Sequence, residues 1–153
     1  MLKFKSCIAL TGIASSLLTN VALAGTCEVN VEATAAMAFN VKEIAVPKKC
    51  KEITLNLKNT GTMAKAMMGH NIVITKTSDM QAVIADGNTA GLASNYVKLN
   101  DARVIGHTPV IGGGESTSVK IKLTNVKAAA DNYSFFCSFP GHAAVMKGIF
   151  KLV

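Results

Sequence analysis

Lys51-Glu52-Ile53-Thr54-Leu55-Asn56-Leu57-Lys58 alternates without a break: Ile53, Leu55 and Leu57 fall on one side, Thr54, Asn56 and Lys58 on the other. A period of two sustained over that length describes a strand with one face in a core and the other in water. Asn59-Thr60-Gly61 ends it with turn residues. Runs of the same kind flank it. Glu28–Ala33 puts Val29, Val31 and Ala33 on one face, and Phe39, Val41 and Glu43 begin a second run. Asn71–Lys76 carries Ile72, Val73 and Ile74 in succession, which suits an interior strand. Val104–His107, Ser118–Leu123, Tyr133–Phe136 and Gly148–Val153 follow, with Gly112-Gly113-Gly114 as a break. The period changes only from Ser78. That residue is placed to cap Asp79–Asp86, where Met80, Val83 and Ile84 have helical spacing and Gly87 marks the end. Asn88–Tyr96 reads as a loop with further helical turns. About eight strands with one helical insertion, packed outside the sheets, predict an all-β Greek-key β-sandwich.

The N-terminus has a different composition. Lys3 and Lys5 precede an apolar run from Ile8 to Leu18, which closes on Ala22-Leu23-Ala24. Small residues before a cut at Gly25 describe a secretory signal peptide, residues 1–24, and so a periplasmic product. A permanent membrane anchor is the rival reading, but Thr11, Ser15, Ser16, Thr19 and Asn20 dilute the run. Lipid attachment at Cys27 is disfavoured by Thr26 before it. Residues 25–153 then form one domain around one core. Lys3 and Lys5 leave with the signal, lowering the formal charge from +7 to +5. Lys48, Lys49 and Lys51 are the densest basic group, and no aromatics interleave with them, so nucleic acid is not an expected partner. The surplus can steer an acidic protein.

Of the four cysteines, Cys7 lies in the signal and Cys27, Cys50 and Cys137 remain. An odd count in an oxidising compartment partitions into one pair and one free thiol. Cys27 and Cys50 bracket the first short segment, where a bridge would contribute about 3 kcal/mol. Cys137 opens Cys137-Ser138-Phe139-Pro140-Gly141-His142-Ala143-Ala144-Val145-Met146, which offers a thiol, an imidazole and a thioether within one short loop. Soft sulfur with nitrogen suits copper. Pro140 and Gly141 let the loop turn back so that Cys137 and His142 meet, with Met146 as a weaker third donor. A further strong donor must come from His70, at the mouth of a buried strand, or His107. Zinc would fit the same donors but would be redox-silent. Two other functions are open to these residues: an exchangeable copper store or delivery protein, and a Cys–His nucleophilic enzyme, which lacks an accompanying oxyanion-hole motif or orienting acid.

Met68-Gly69-His70-Asn71, Ser78-Asp79-Met80-Gln81, Arg103–Thr108 and Phe135-Phe136-Cys137-Ser138-Phe139-Pro140-Gly141-His142 through Met146-Lys147-Gly148 resemble the azurins, a family of bacterial cupredoxins. The resemblance spans Gly25–Val153. It implies a cupredoxin-like sandwich, the Cys27–Cys50 disulfide, and one type 1 copper held by His70, Cys137 and His142. Met146 would be the axial ligand, with the Gly69 backbone carbonyl opposite. Asn71 and the Phe139 N–H would hydrogen-bond the Cys137 sulfur. Electron transfer rather than catalysis is implied, through an apolar patch of Met37, Met63, Met67, Met68, Phe139, Pro140, Ala143 and Ala144. The implied partners are redox proteins such as c-type cytochromes, copper nitrite reductase or cytochrome peroxidase, met by a monomer without a stable membrane anchor. Two departures stand out. Ile72 occupies the place where azurins often carry a buried tryptophan, and Asn59 stands where many have a histidine that couples proton uptake to redox state.

Overall fold

The computed structural model describes residues 21–23, 27–127 and 132–153. The strands are β1 (Val21–Leu23), β2 (Glu28–Thr34), β3 (Ala38–Phe39), β4 (Glu43–Val46), β5 (Glu52–Asn59), β6 (Val73–Lys76), β7 (Val104–His107), β8 (Ser116–Lys122), β9 (Tyr133–Phe136) and β10 (Lys147–Leu152). A short helical turn, α1 (Lys65–Met68), and the longer α2 (Met80–Ala90) complete the set, with single 3-10 turns at Thr77–Asp79, Leu92–Ser94 and His142–Ala144. Most of the expected signal peptide, with the cut before Gly25, lies outside the described residues.

Two sheets face each other. One has the order β1-β4-β10-β9-β6-β7, the other β3-β2-β5-β8. The alternation in β5 is what pins it between β2 and β8: Ile53, Leu55 and Leu57 are all buried, and their neighbours in register are Ile121, Val119 and Thr117 of β8. β2 runs parallel to β5 with Val29 beside Leu55 and Val31 beside Leu57. From the other sheet Ile44, Ile74, Phe135 and Phe150, joined by Ile72 just ahead of β6, close the core. The run that begins at Phe39 divides. Ala38–Phe39 stays with β2, whereas Glu43–Val46 crosses to the other sheet and pairs in parallel with β10. That split adds one short strand to the eight of the periodicity, and β1, inside the expected signal peptide, adds a second.

The insertion packs outside, as expected. Val73 and Phe136, partners across β6 and β9, point away from the core and meet Met80, Val83 and Val97. Its boundaries differ from the sequence reading. Ser78 makes no capping hydrogen bond and sits in a 3-10 turn ahead of the helix, and Gly87 is inside α2 rather than its end. The true stop is Gly91, whose φ of 74° needs no Cβ and whose N–H returns to the Gly87 carbonyl. Gly87 serves a different need: a Cβ there would collide with the Tyr96 carbonyl.

Cys27 and Cys50 are bonded to each other, at the start of β2 and just ahead of β5. β5 runs from there to Asn59, whose side-chain amide reaches the Ile111 carbonyl at 3.3 Å. Ile111 in turn exchanges both backbone hydrogen bonds with His70. The disulfide and His70 thus occupy opposite ends of the sandwich.

Candidate metal centre

Three segments converge at the end away from the disulfide. α1 delivers Gly69 and His70 immediately ahead of β6. Gly69 is required there because a Cβ would collide with the Lys65 carbonyl and the Val110 side chain. β9 delivers Cys137 from the sheet. The turn beyond it closes through Gly141, with φ of 82°, and the His142 N–H donates to the Phe139 carbonyl at 3.0 Å. Met146 ties the loop shut: its N–H donates to the His142 carbonyl at 2.8 Å, and its carbonyl accepts from the Cys137 N–H at 3.0 Å.

The donor atoms of His70, Cys137 and His142 all lie within 4.8 Å of one another. Both rings turn Nδ1 to the thiol sulfur, at 3.9 Å from His70 and 3.6 Å from His142. Donors about 2.0 and 2.3 Å from a common metal, at angles near tetrahedral or trigonal, stand roughly 3.5–3.7 Å apart. The group is the one cluster of its kind among the described residues, and no carboxylate belongs to it. Two imidazole nitrogens and a sulfur, without a hard oxygen donor, fit copper. Met146 is fully buried beside them.

Burial sets the protonation of the metal-free site. It lowers the pKa of His70 to about 4, helped by the charge of His142 and opposed by the Thr34 backbone. That backbone contact falls short of an ordinary hydrogen bond, for His70 Nε2 is buried without a partner. Burial also lowers His142. It pushes the Cys137 thiol up to about 11, and the backbone N–H groups of Asn71 and Phe139 pull it partly back by stabilising the thiolate. A cation at this point would outweigh the burial and hold the sulfur as thiolate.

The segments are clasped by Asn71. Its amide nitrogen donates to Ser138 Oγ at 2.8 Å and to the Asn95 carbonyl at 3.0 Å, and its oxygen accepts the Ser138 N–H at 2.8 Å. The residue after His70 is thereby locked to the residue after Cys137. On the other side Phe139 packs on the His142 ring, with centroids 4.6 Å apart. His107, the alternative donor, lies apart in β7 with Nδ1 3.1 Å from the Thr108 carbonyl. The expected docking residues divide. Met37, Met63 and Met67 are 38%, 41% and 66% exposed and Pro140 and Ala144 are exposed, while Met68 and Ala143 are half-buried. Phe139 is buried, so it lies beneath such a patch and forms little of its surface. Sequence reasoning missed Asn95 and Tyr96 beside the site; nothing in their residue types announces the positive φ that both adopt.

A family model for copper binding proteins, the plastocyanin/azurin family, matches residues 25–153. The chain belongs to that family. It is 59% identical over 126 residues to Azurin-2 of Alcaligenes xylosoxydans xylosoxydans, covering 82% of this chain and 97% of the relative. With the azurin of Bordetella pertussis it shares 54% over 131 residues, 86% of this chain and 87% of the relative. Its fold matches that of an azurin from Methylomonas sp. strain J with a TM-score of 0.80 at 42% identity, over 84% of this chain and 99% of that one. Family and geometry agree on a blue-copper electron-transfer protein with one type 1 copper per chain. Within the azurin framework, Ile72 fills the core position without a tryptophan. Asn59 is buried, holding the Ile111 carbonyl and the Gly61 N–H without a titratable group.

Proposed function

We propose that this chain is a periplasmic one-electron carrier, exported after loss of residues 1–24, in which His70, Cys137 and His142, with Met146 and the Gly69 carbonyl, would hold the copper. The observation that carries it is the burial of the donor set: His70, Cys137 and Met146 are 0% exposed and His142 is 4%. When bound, copper supplies the one-electron Cu(II)/Cu(I) couple. The chain's own residues hold the donors in one arrangement for both states. Asn71 fixes the spacing of the His70 and Cys137 segments, Met146 closes the loop, and the amides of Asn71 and Phe139 offset thiolate charge, which favours the reduced state. Apolar packing by Val110, Phe139 and Met146 keeps bulk water out. Such a closed site argues for retention over storage or delivery, and against a substrate position.

His142 is the proposed exit, since Pro140, Ala143 and Ala144 share its loop and Met37, Met63, Met67 and Met68 lie in the neighbouring loops of the same end. Flexible thioethers suit brief contact with several partners, and a +5 surplus around an apolar contact suits weak, fast docking; redox proteins such as c-type cytochromes, copper nitrite reductase or cytochrome peroxidase are the proposed partners. Loss of the signal removes β1 and leaves β4 as a sheet edge. No helix among the described residues is long and apolar enough to cross a membrane. Fractionation of cells expressing the full chain, with intact mass and cytochrome c oxidation rates, tests this reading. A periplasmic product beginning at Gly25 that exchanges electrons with a c-type cytochrome is expected; a cytoplasmic product with its N-terminus intact, or one inert to every such partner, overturns it.

A further inference from the structure

The segment that closes the helical insertion touches the neighbours of His70 and Cys137 and, through Phe139, packs toward His142, and its backbone is strained. Asn95 and Tyr96 have φ of 58° and 52°. Asparagine visits that region at modest cost, but an aromatic residue persists there only where its surroundings hold it. The holding contacts are specific. From behind, Gly87 of α2 packs so closely on the Tyr96 carbonyl that a side chain would not fit. In front, the Asn95 carbonyl accepts Asn71 Nδ2 at 3.0 Å and Ser138 Oγ at 3.4 Å, while Asn95 Oδ1 accepts the Val110 N–H at 2.9 Å. Val110 adjoins Ile111, the bridge partner of His70. The Tyr96 ring stands edge-on to Phe139 at 5.2 Å, and Phe139 packs on His142.

We propose that Asn95 is a positioning residue for the metal centre: its left-handed backbone aims one carbonyl at the Asn71–Ser138 pair and so sets the spacing of the His70 and Cys137 segments. The logic lies in the donors. Asn71 Nδ2 has two hydrogens, one for the Asn95 carbonyl and one for Ser138 Oγ. Ser138 Oγ can accept the second only if its own hydrogen points elsewhere, and the Asn95 carbonyl is where it points. Without that carbonyl, both side chains lose an acceptor and the clasp loses its direction. The proposal rests on the ligand set given above.

Two measurements test it: hydrogen exchange at the Ser138 and Val110 amides in the metal-free protein, and the thiolate-to-copper absorption band after loading. Asn95→Gly keeps the left-handed backbone and the carbonyl, so Ser138 stays protected, the band stays in place, and Val110 alone exchanges about tenfold faster. Asn95→Val disfavours that backbone, and Gly87→Ala pushes the Tyr96 carbonyl from outside the network. Each should speed Ser138 exchange about tenfold and shift the band. Ile53→Val, destabilising in the sheet core, is the control and should leave the band unmoved. The proposal is overturned if Asn95→Val and Gly87→Ala match the control at Ser138 and in the band, or if Asn95→Gly is as damaging as Asn95→Val. Gly87→Ala carries the test if Asn95→Val does not fold. A wild-type protein without the band would overturn the ligand set, and the exchange data would still judge the brace.

Discussion

Replacing Asn71 by alanine removes three hydrogen bonds from a fully buried position at once: those to the Asn95 carbonyl, to Ser138 Oγ and from the Ser138 N–H. Each is worth about 1 kcal/mol net, and a buried N–H left without an acceptor costs roughly 1–3 kcal/mol by itself. Ser138 is buried, so its amide has no recourse to bulk water. The expected destabilisation of the metal-free protein is about 2–4 kcal/mol. With a urea dependence of about 1–3 kcal/mol per molar, the unfolding midpoint should fall by roughly 1–2 M with an unchanged slope. A double-mutant cycle with Ser138→Ala should return a coupling of about 1 kcal/mol, because the Oγ bond is shared and the Ser138 N–H bond is not. A loss under about 0.5 kcal/mol, the range of ordinary surface changes, would refute the claim that this side chain clasps the two ligand segments.

The pKa shifts predict a stability plateau for the metal-free protein. His70 in the unfolded chain takes a proton below about 6.5, but the folded ring refuses it until about 4, so the unfolded state binds more protons in that window and stability falls with falling pH by up to about 3 kcal/mol. His142 adds in the same direction. Above about 8.5 the unfolded Cys137 releases its proton while the folded thiol keeps it to about 11, so stability falls again as pH rises. Urea midpoints flat from pH 4 to 7 would contradict this. Gly148→Ala drives a Cβ into the Phe135 ring and the Lys42 carbonyl and should destabilise by about 1–3 kcal/mol in the same denaturation assay. Met68→Lys should slow electron exchange with redox partners while leaving the copper spectrum intact; unchanged rates would move docking elsewhere. With Asn59 in place of a titratable group, the redox potential should vary little with pH, and voltammetry showing a steep fall through neutrality would argue against that.

Periodicity carried most of the fold because the core is built from single faces. Ile53, Leu55 and Leu57, like Val29, Val31 and Ala33, are buried where alternation places them. It failed where tertiary contacts outweigh local pattern. Gly87 has the composition of a helix end, yet α2 runs through it because the missing side chain lets Tyr96 approach. β4 looks continuous with β3 in sequence, but the chain crosses between sheets after Asn40, whose N–H bonds the Glu32 carbonyl. The strong donors are legible since Cys, His and Met are scarce and their loop is short; position and resemblance favour His70 over His107, and the geometry excludes the latter. Of the groups around the donors, the resemblance points to Asn71 and the Phe139 N–H, and both lower the Cys137 pKa. Asn95 acts through a main-chain carbonyl, and a carbonyl leaves no mark in residue type.

His70, Cys137 and His142 together should form one redox-active copper site. The direct test is to add Cu(II) to the metal-free protein and record the visible spectrum before and after a one-electron reductant. An intense blue thiolate-to-copper band should appear at one copper per chain, bleach on reduction, return on reoxidation and be absent from Cys137→Ser. A copper-loaded wild-type protein that stays colourless would contradict the account.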